Sequence, residues 1–146
     1  MSAYRIGNYG LAQGYAAVVG VVLVVVGLLG FIGNPIVGEP VPGGGGPIFV
    51  TGTVHNIVHL ATGLLALYVA FGLSGETQAN GVIGLGILYV AVLVLTVLSP
   101  TLFGILGTTP EYGVNAADHL LHAALAIVSF GVGYLARGGT GTVATR

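Results

Sequence analysis

Four nearly unbroken apolar stretches, at 11–32, 54–73, 81–98 and 114–136, decide what this chain can fold into. A helix rises 1.5 Å per residue, so roughly 20 apolar residues cross the hydrocarbon of a bilayer. The expected fold is therefore a single all-α integral membrane domain of four transmembrane helices. The charge content agrees: only 5% of the 146 residues are charged, against about a quarter in a soluble domain. The basic residues are three arginines with no lysine, and the net charge is −1. That excludes a basic patch for nucleic acid and a polybasic segment for anionic lipid. Cysteine is absent, so there is no disulfide framework, no thiolate metal site and no haem attached through a Cys-x-x-Cys-His motif.

The connections are unequal. Residues 34–53 hold Pro35, Pro40, Pro42, Pro47 and a glycine run at 43–46, which forbids helix and sheet interior and predicts a long loop. Residues 74–80 are expected to form a tight turn between antiparallel neighbours. Pro100 ends the third helix, and 101–112 is an apolar, glycine-punctuated stretch suited to lying along an interface. Arg5 ahead of the first stretch resembles the start of a signal peptide, but the apolar run is long for one and lacks a small-x-small site, so a retained helix is expected. Arg5, Arg137 and Arg146 fall on the side of both termini, whereas Glu39 and Glu111 fall in the opposite loops. Positive charge collects on the cytoplasmic side, which places both termini there.

Two polar clusters interrupt the apolar runs, His55-Asn56-Ile57-Val58-His59 and Asp118-His119-Leu120-Leu121-His122. Ionisable groups at membrane depth need protein, water or a ligand to satisfy them and mark where function is sought first. Aligning His59 with His122 lays His55 over Asp118 and Asn56 over His119, so the halves read as two parallel helix-loop-helix repeats. Below the clusters, Gly63, Ala66 and Ala70 in the second stretch and Ala126, Ser129 and Gly133 in the fourth form stripes of small residues. Small residues let backbones approach in lipid, and the expectation is a central seam between the second and fourth helices. The valine-rich runs at 21–26 and 90–97 are expected to face lipid.

Two histidines at i and i+4 share a helix face and reach one metal. His55, His59, Asp118 and His122 are thus candidate ligands, and imidazole with carboxylate suits a first-row transition metal such as Zn, Fe or Cu. Haem held by one histidine from each helix ranks below this, because no aromatic-lined pocket is evident. A structural reading asks less: His59 and His122 hydrogen-bond across the bundle to Asp118, Asn56 or loop carbonyls, with Asn56, Asn115 and His119 completing a polar clasp. Asn115 followed by Asp118 also reads as a helix N-cap with an acidic first turn. Gly84-x-Gly86 lies inside an apolar helix and is no dinucleotide fingerprint. Tyr4, Tyr9, Tyr15, Tyr68 and Tyr134 on one side, with Phe31, Phe49, Phe103 and Tyr112 on the other, read as interfacial belts. Tyr89 needs a hydroxyl partner that the sequence does not identify.

The motifs His55-Asn56-x-x-His59-Leu60 with Gly63, and Asn115-x-x-Asp118-x-x-Leu121-His122, resemble a domain-of-unknown-function family of small four-helix membrane proteins found in actinobacteria, cyanobacteria and haloarchaea. His119 departs from the pattern, where Asn is frequent. The resemblance implies the architecture and no activity. Together these readings lead to an expected non-enzymatic accessory or scaffold subunit in a prokaryotic plasma membrane, assembling with itself or a larger membrane complex. The alternative is a metal- or haem-binding membrane protein built on the same His/Asp cluster.

Overall fold

The computed structural model describes residues 9–107 and 109–138; Tyr4, Arg5 and Arg146 lie outside the described residues. Four helices carry the fold: α1 (Tyr9–Leu29), α2 (Thr53–Phe71), α3 (Gly75–Leu98) and α4 (Ala116–Ala136). Each is long and apolar enough to cross a membrane. The long connections, before α2 and before α4, gather at one end of the bundle, the loop end. Within the first of them, β1 (Val37–Gly38) and β2 (Phe49–Val50) pair in parallel, with Val37 opposite Phe49 and Gly38 opposite Val50. The sequence reading excluded sheet from this loop. Two residues of ladder fit because the prolines at 35, 40 and 47 flank the paired positions and leave their N–H groups free to bond.

Helix ends differ from the apolar limits where side chains intervene. α1 stops at Leu29 because Asn34 folds back: its amide donates to the carbonyls of Leu29, Ile32 and Val37 at 2.7–2.8 Å and its Oδ1 accepts from the N–H groups of Ile36 and Val37. α3 begins at Gly75, so residues 75–80 are helix and not turn. Gln78 explains the shift, since from inside α3 its amide donates to the Val69, Ala70 and Leu73 carbonyls, at 2.7 Å for Ala70. That satisfies the end of α2 with only three residues between the helices.

The small-residue stripes have partners other than those expected. α1 packs along α2, and α3 along α4, as two antiparallel hairpins, while α2 and α4 make little backbone contact. A methyl group on Gly63 would stand 2.9 Å from the Val24 backbone nitrogen of α1, and one on Gly133 would stand 3.1 Å from the Ala79 carbonyl of α3. Close approach in lipid requires bare backbone on both sides. Gly20 and Gly27 supply it on α1 and Gly86 on α3. The predicted seam between α2 and α4 is thus corrected to two seams, α1 with α2 and α3 with α4.

The hairpins meet at the centre through Leu23, Ala66, Leu85, Tyr89 and Ala126. Tyr15 reaches across from α1 to share a 2.8 Å hydrogen bond with Ser129 and to donate to the Leu125 carbonyl at 3.3 Å. It is therefore half-buried and not part of an interfacial belt, while Tyr68 and Tyr134 are exposed as expected. Val21, Val22, Val25, Val90, Val94 and Val97 face outward.

Candidate functional site

The loop between α1 and α2 fixes both starting points of the polar clusters. β2 runs into α2 through Thr51, fully buried with its N–H donating to Gly38, and through Gly52, where an added methyl would meet the Leu106 carbonyl and Tyr112 at 3.3 Å. His55 then falls in the first turn of α2. α4 starts from the same strand. Asn115 caps it by accepting from the Asp118 N–H at 3.0 Å, and the Asn115 amide donates to the Ile48 carbonyl at 2.9 Å. A segment of three residues, 48–50, therefore sets the register of one polar helix start against the other.

This register brings three imidazoles together. His55 and His59, one turn apart, have ring centroids 4.4 Å apart at an interplanar angle of 54°. His122 of α4 faces them, with its centroid 6.5 Å from that of His55. One nitrogen from each ring lies within 4.8 Å of the other two, and all three residues are buried. Nδ1 of His55, of His59 and of His122 has no hydrogen-bond partner. Leaving a buried polar atom unsatisfied costs about 1–3 kcal/mol, so one such atom on each of three neighbouring rings is an expensive arrangement unless a ligand engages them.

The other predicted residues sit elsewhere. Asp118 is buried and its Oδ2 has no partner, but it is outside the converging group. His119 is half-buried, and its Nε2 is also unpartnered. Asn56 follows His55 by one residue, a turn of about 100° around the helix. That directs its amide under Gly30 and into a cleft of about 620 Å³ lined by Asn34, Glu39, Gly46 and Pro47. Among the described residues no hydrogen bond joins an imidazole to Asn56, Asp118 or Asn115.

Tyr89 is the neighbour that sequence reasoning did not place here. Its ring lies over that of His122 at 6.1 Å and 23°, and its buried hydroxyl has no hydrogen-bond partner. The available signal was its depth in an apolar helix, which gave a need without a location. A cavity of about 90 Å³ adjoins the rings, lined by His55, His59, Thr62, Tyr89, Val92 and His122 among others. It is far too small for a porphyrin, and the crowded rings leave no plane for one between them. The residues present do not fit haem.

They fit a small cation better. Metal–nitrogen bonds of about 2.0–2.1 Å place three nitrogens round one ion roughly 3.3–3.6 Å from one another. The imidazole nitrogens lie within 4.8 Å of one another, so rotamer changes that draw them together by about 1 Å would let the three rings share one ion. Residues 13–135 match a family described as Domain of unknown function (DUF4383). No curated protein and no solved structure matches the chain.

Proposed function

The chain belongs to the DUF4383 family, whose description carries no activity, and we propose that it is a membrane protein that binds one first-row transition ion through His55, His59 and His122. The observation that carries this reading is the meeting of three buried imidazoles, each with one nitrogen within 4.8 Å of the others and each with an Nδ1 that has no hydrogen-bond partner. An ion engages three imidazole lone pairs at once, which a single hydrogen-bond donor does not. Imidazole suits Zn, Cu, Fe or Ni, and oxygen ligands suit Mg and Ca. Asp118, one turn before His122 on the same helical face, adds negative charge that offsets the cation.

In the same proposal the loop end faces away from the cytoplasm, with Arg137 at the cytoplasmic end beside Asn80. The two hairpins then correspond to parallel repeats about an axis along the membrane normal, in a prokaryotic plasma membrane. Assembly with a second copy or a larger membrane complex uses the outward glycines Gly84 and Gly131, where an added methyl would meet nothing within 4 Å beyond its own stretch of helix.

Protein purified in detergent without added metal, followed by elemental analysis and cobalt(II) titration read by visible absorption, tests the reading. One ion per chain is expected, lost in His122→Asn. A wild-type protein that neither carries nor takes up metal overturns it.

A further inference from the structure

Three protein ligands do not complete the shell of a first-row ion. Closed structural sites supply four, and sites with three keep a position for an exchangeable ligand. Here the space beside the imidazoles is the cavity of about 90 Å³ between α2, α3 and the start of α4. A liquid water occupies about 30 Å³, so the cavity holds a molecule of two or three heavy atoms and excludes a lipid headgroup or a quinone ring.

Its chemistry is equally restrictive. The Thr62 and Thr96 hydroxyls are committed to their own helices, donating to the Val58 and Val92 carbonyls at 2.8 Å each. Beside the imidazoles themselves, that leaves the Tyr89 hydroxyl, buried and without a hydrogen-bond partner, as an uncommitted donor among the cavity-lining residues. The rim includes Val58 and Leu95, which are 40% and 44% exposed on the apolar outside of the bundle. Past these two side chains the cavity is approached from the apolar outside of the bundle. A charged species on that route carries a large desolvation penalty.

We infer that the three-histidine centre has an open fourth position facing this cavity. It takes a small uncharged molecule of the dioxygen or carbon monoxide kind that dissolves in lipid, with the Tyr89 hydroxyl donating a hydrogen bond to it. This rests on the metal reading above. Reversible coordination is all that it requires of the ligand.

The test uses the full chain in detergent, loaded with copper(I) and exposed to carbon monoxide, with copper counted per chain and the carbonyl stretch read by infrared spectroscopy. One copper per chain and a single bound-CO band are expected. Tyr89→Phe keeps the copper and shifts the band, because the isosteric ring lacks the donor. Val92→Phe, which fills the cavity, keeps the copper and lowers CO occupancy at least tenfold. A full copper complement with no band in the wild type overturns the open position while leaving the metal reading intact. Failure to bind copper overturns both, and a band unmoved in Tyr89→Phe overturns the assignment of the hydroxyl.

Discussion

His55 and His122 face each other with ring centroids 6.5 Å apart, although their helices belong to different hairpins and make little backbone contact. An ion shared by these rings would join the hairpins at the loop end. Binding to the folded state alone adds about 2.7 kcal/mol to stability at a free ion concentration 100 times Kd. Zinc is expected to raise the thermal unfolding temperature of the wild type and leave His122→Asn unchanged. An equal rise in both would place the ion elsewhere.

The two hairpin seams depend on glycine at the contact and not on glycine in general. Gly63→Ala and Gly133→Ala push a methyl into backbone atoms, and overpacking of this kind costs about 1–3 kcal/mol. Gly84→Ala and Gly131→Ala add a methyl where nothing lies within 4 Å, and helix propensity favours Ala over Gly by about 1 kcal/mol. Unfolding in mixed detergent should order the four variants as two destabilised and two neutral or stabilised.

Asn115 performs two tasks that substitution can separate. Asn115→Asp keeps an acceptor for the Asp118 N–H and loses the donor to the Ile48 carbonyl, whereas Asn115→Ala loses both. Loss of an N-cap costs about 1 kcal/mol, and the tether adds a hydrogen bond of about 1 kcal/mol. Thermal unfolding should place Asp between the wild type and Ala. Because the tether sets the register of α4 against α2, Asn115→Ala is also expected to weaken cobalt(II) affinity.

The Tyr15–Ser129 hydrogen bond of 2.8 Å ties α1 to α4 across the bundle. Interhelical bonds in membrane proteins couple by about 0.6 kcal/mol on average. A double-mutant cycle with Tyr15→Phe and Ser129→Ala should return a coupling of that order. Strict additivity would show that the hydroxyls stabilise nothing beyond their separate packing.

Much of this was legible from residue order. Hydrophobic length marked all four helices, because a bilayer imposes a length that no tertiary contact overrides. The i, i+4 spacing put His55 and His59 on one face, and Asn115 was readable as a cap because that bond is local. What required three dimensions was long-range. The small residues of α2 and α4 announced close packing without naming the partner helix, and Gly20 and Gly86 decided it. Asp118 has the same i, i+4 spacing to His122 that His55 has to His59, yet its shorter side chain lies outside the converging group. Tyr89 belongs to a different apolar run, and nothing in its neighbourhood along the chain points to His122. The start of α3 was hidden for a similar reason, since Gln78 acts backward on the end of α2.

X-ray absorption at the zinc edge of the zinc-loaded protein tests the central claim most directly, because scattering from imidazole rings counts the histidines on the ion. The account predicts one zinc per chain held by three imidazoles in the wild type and in His119→Asn, and by two in His59→Asn. Zinc surrounded only by carboxylate and water oxygens, or an imidazole count unchanged by His59→Asn, would contradict it.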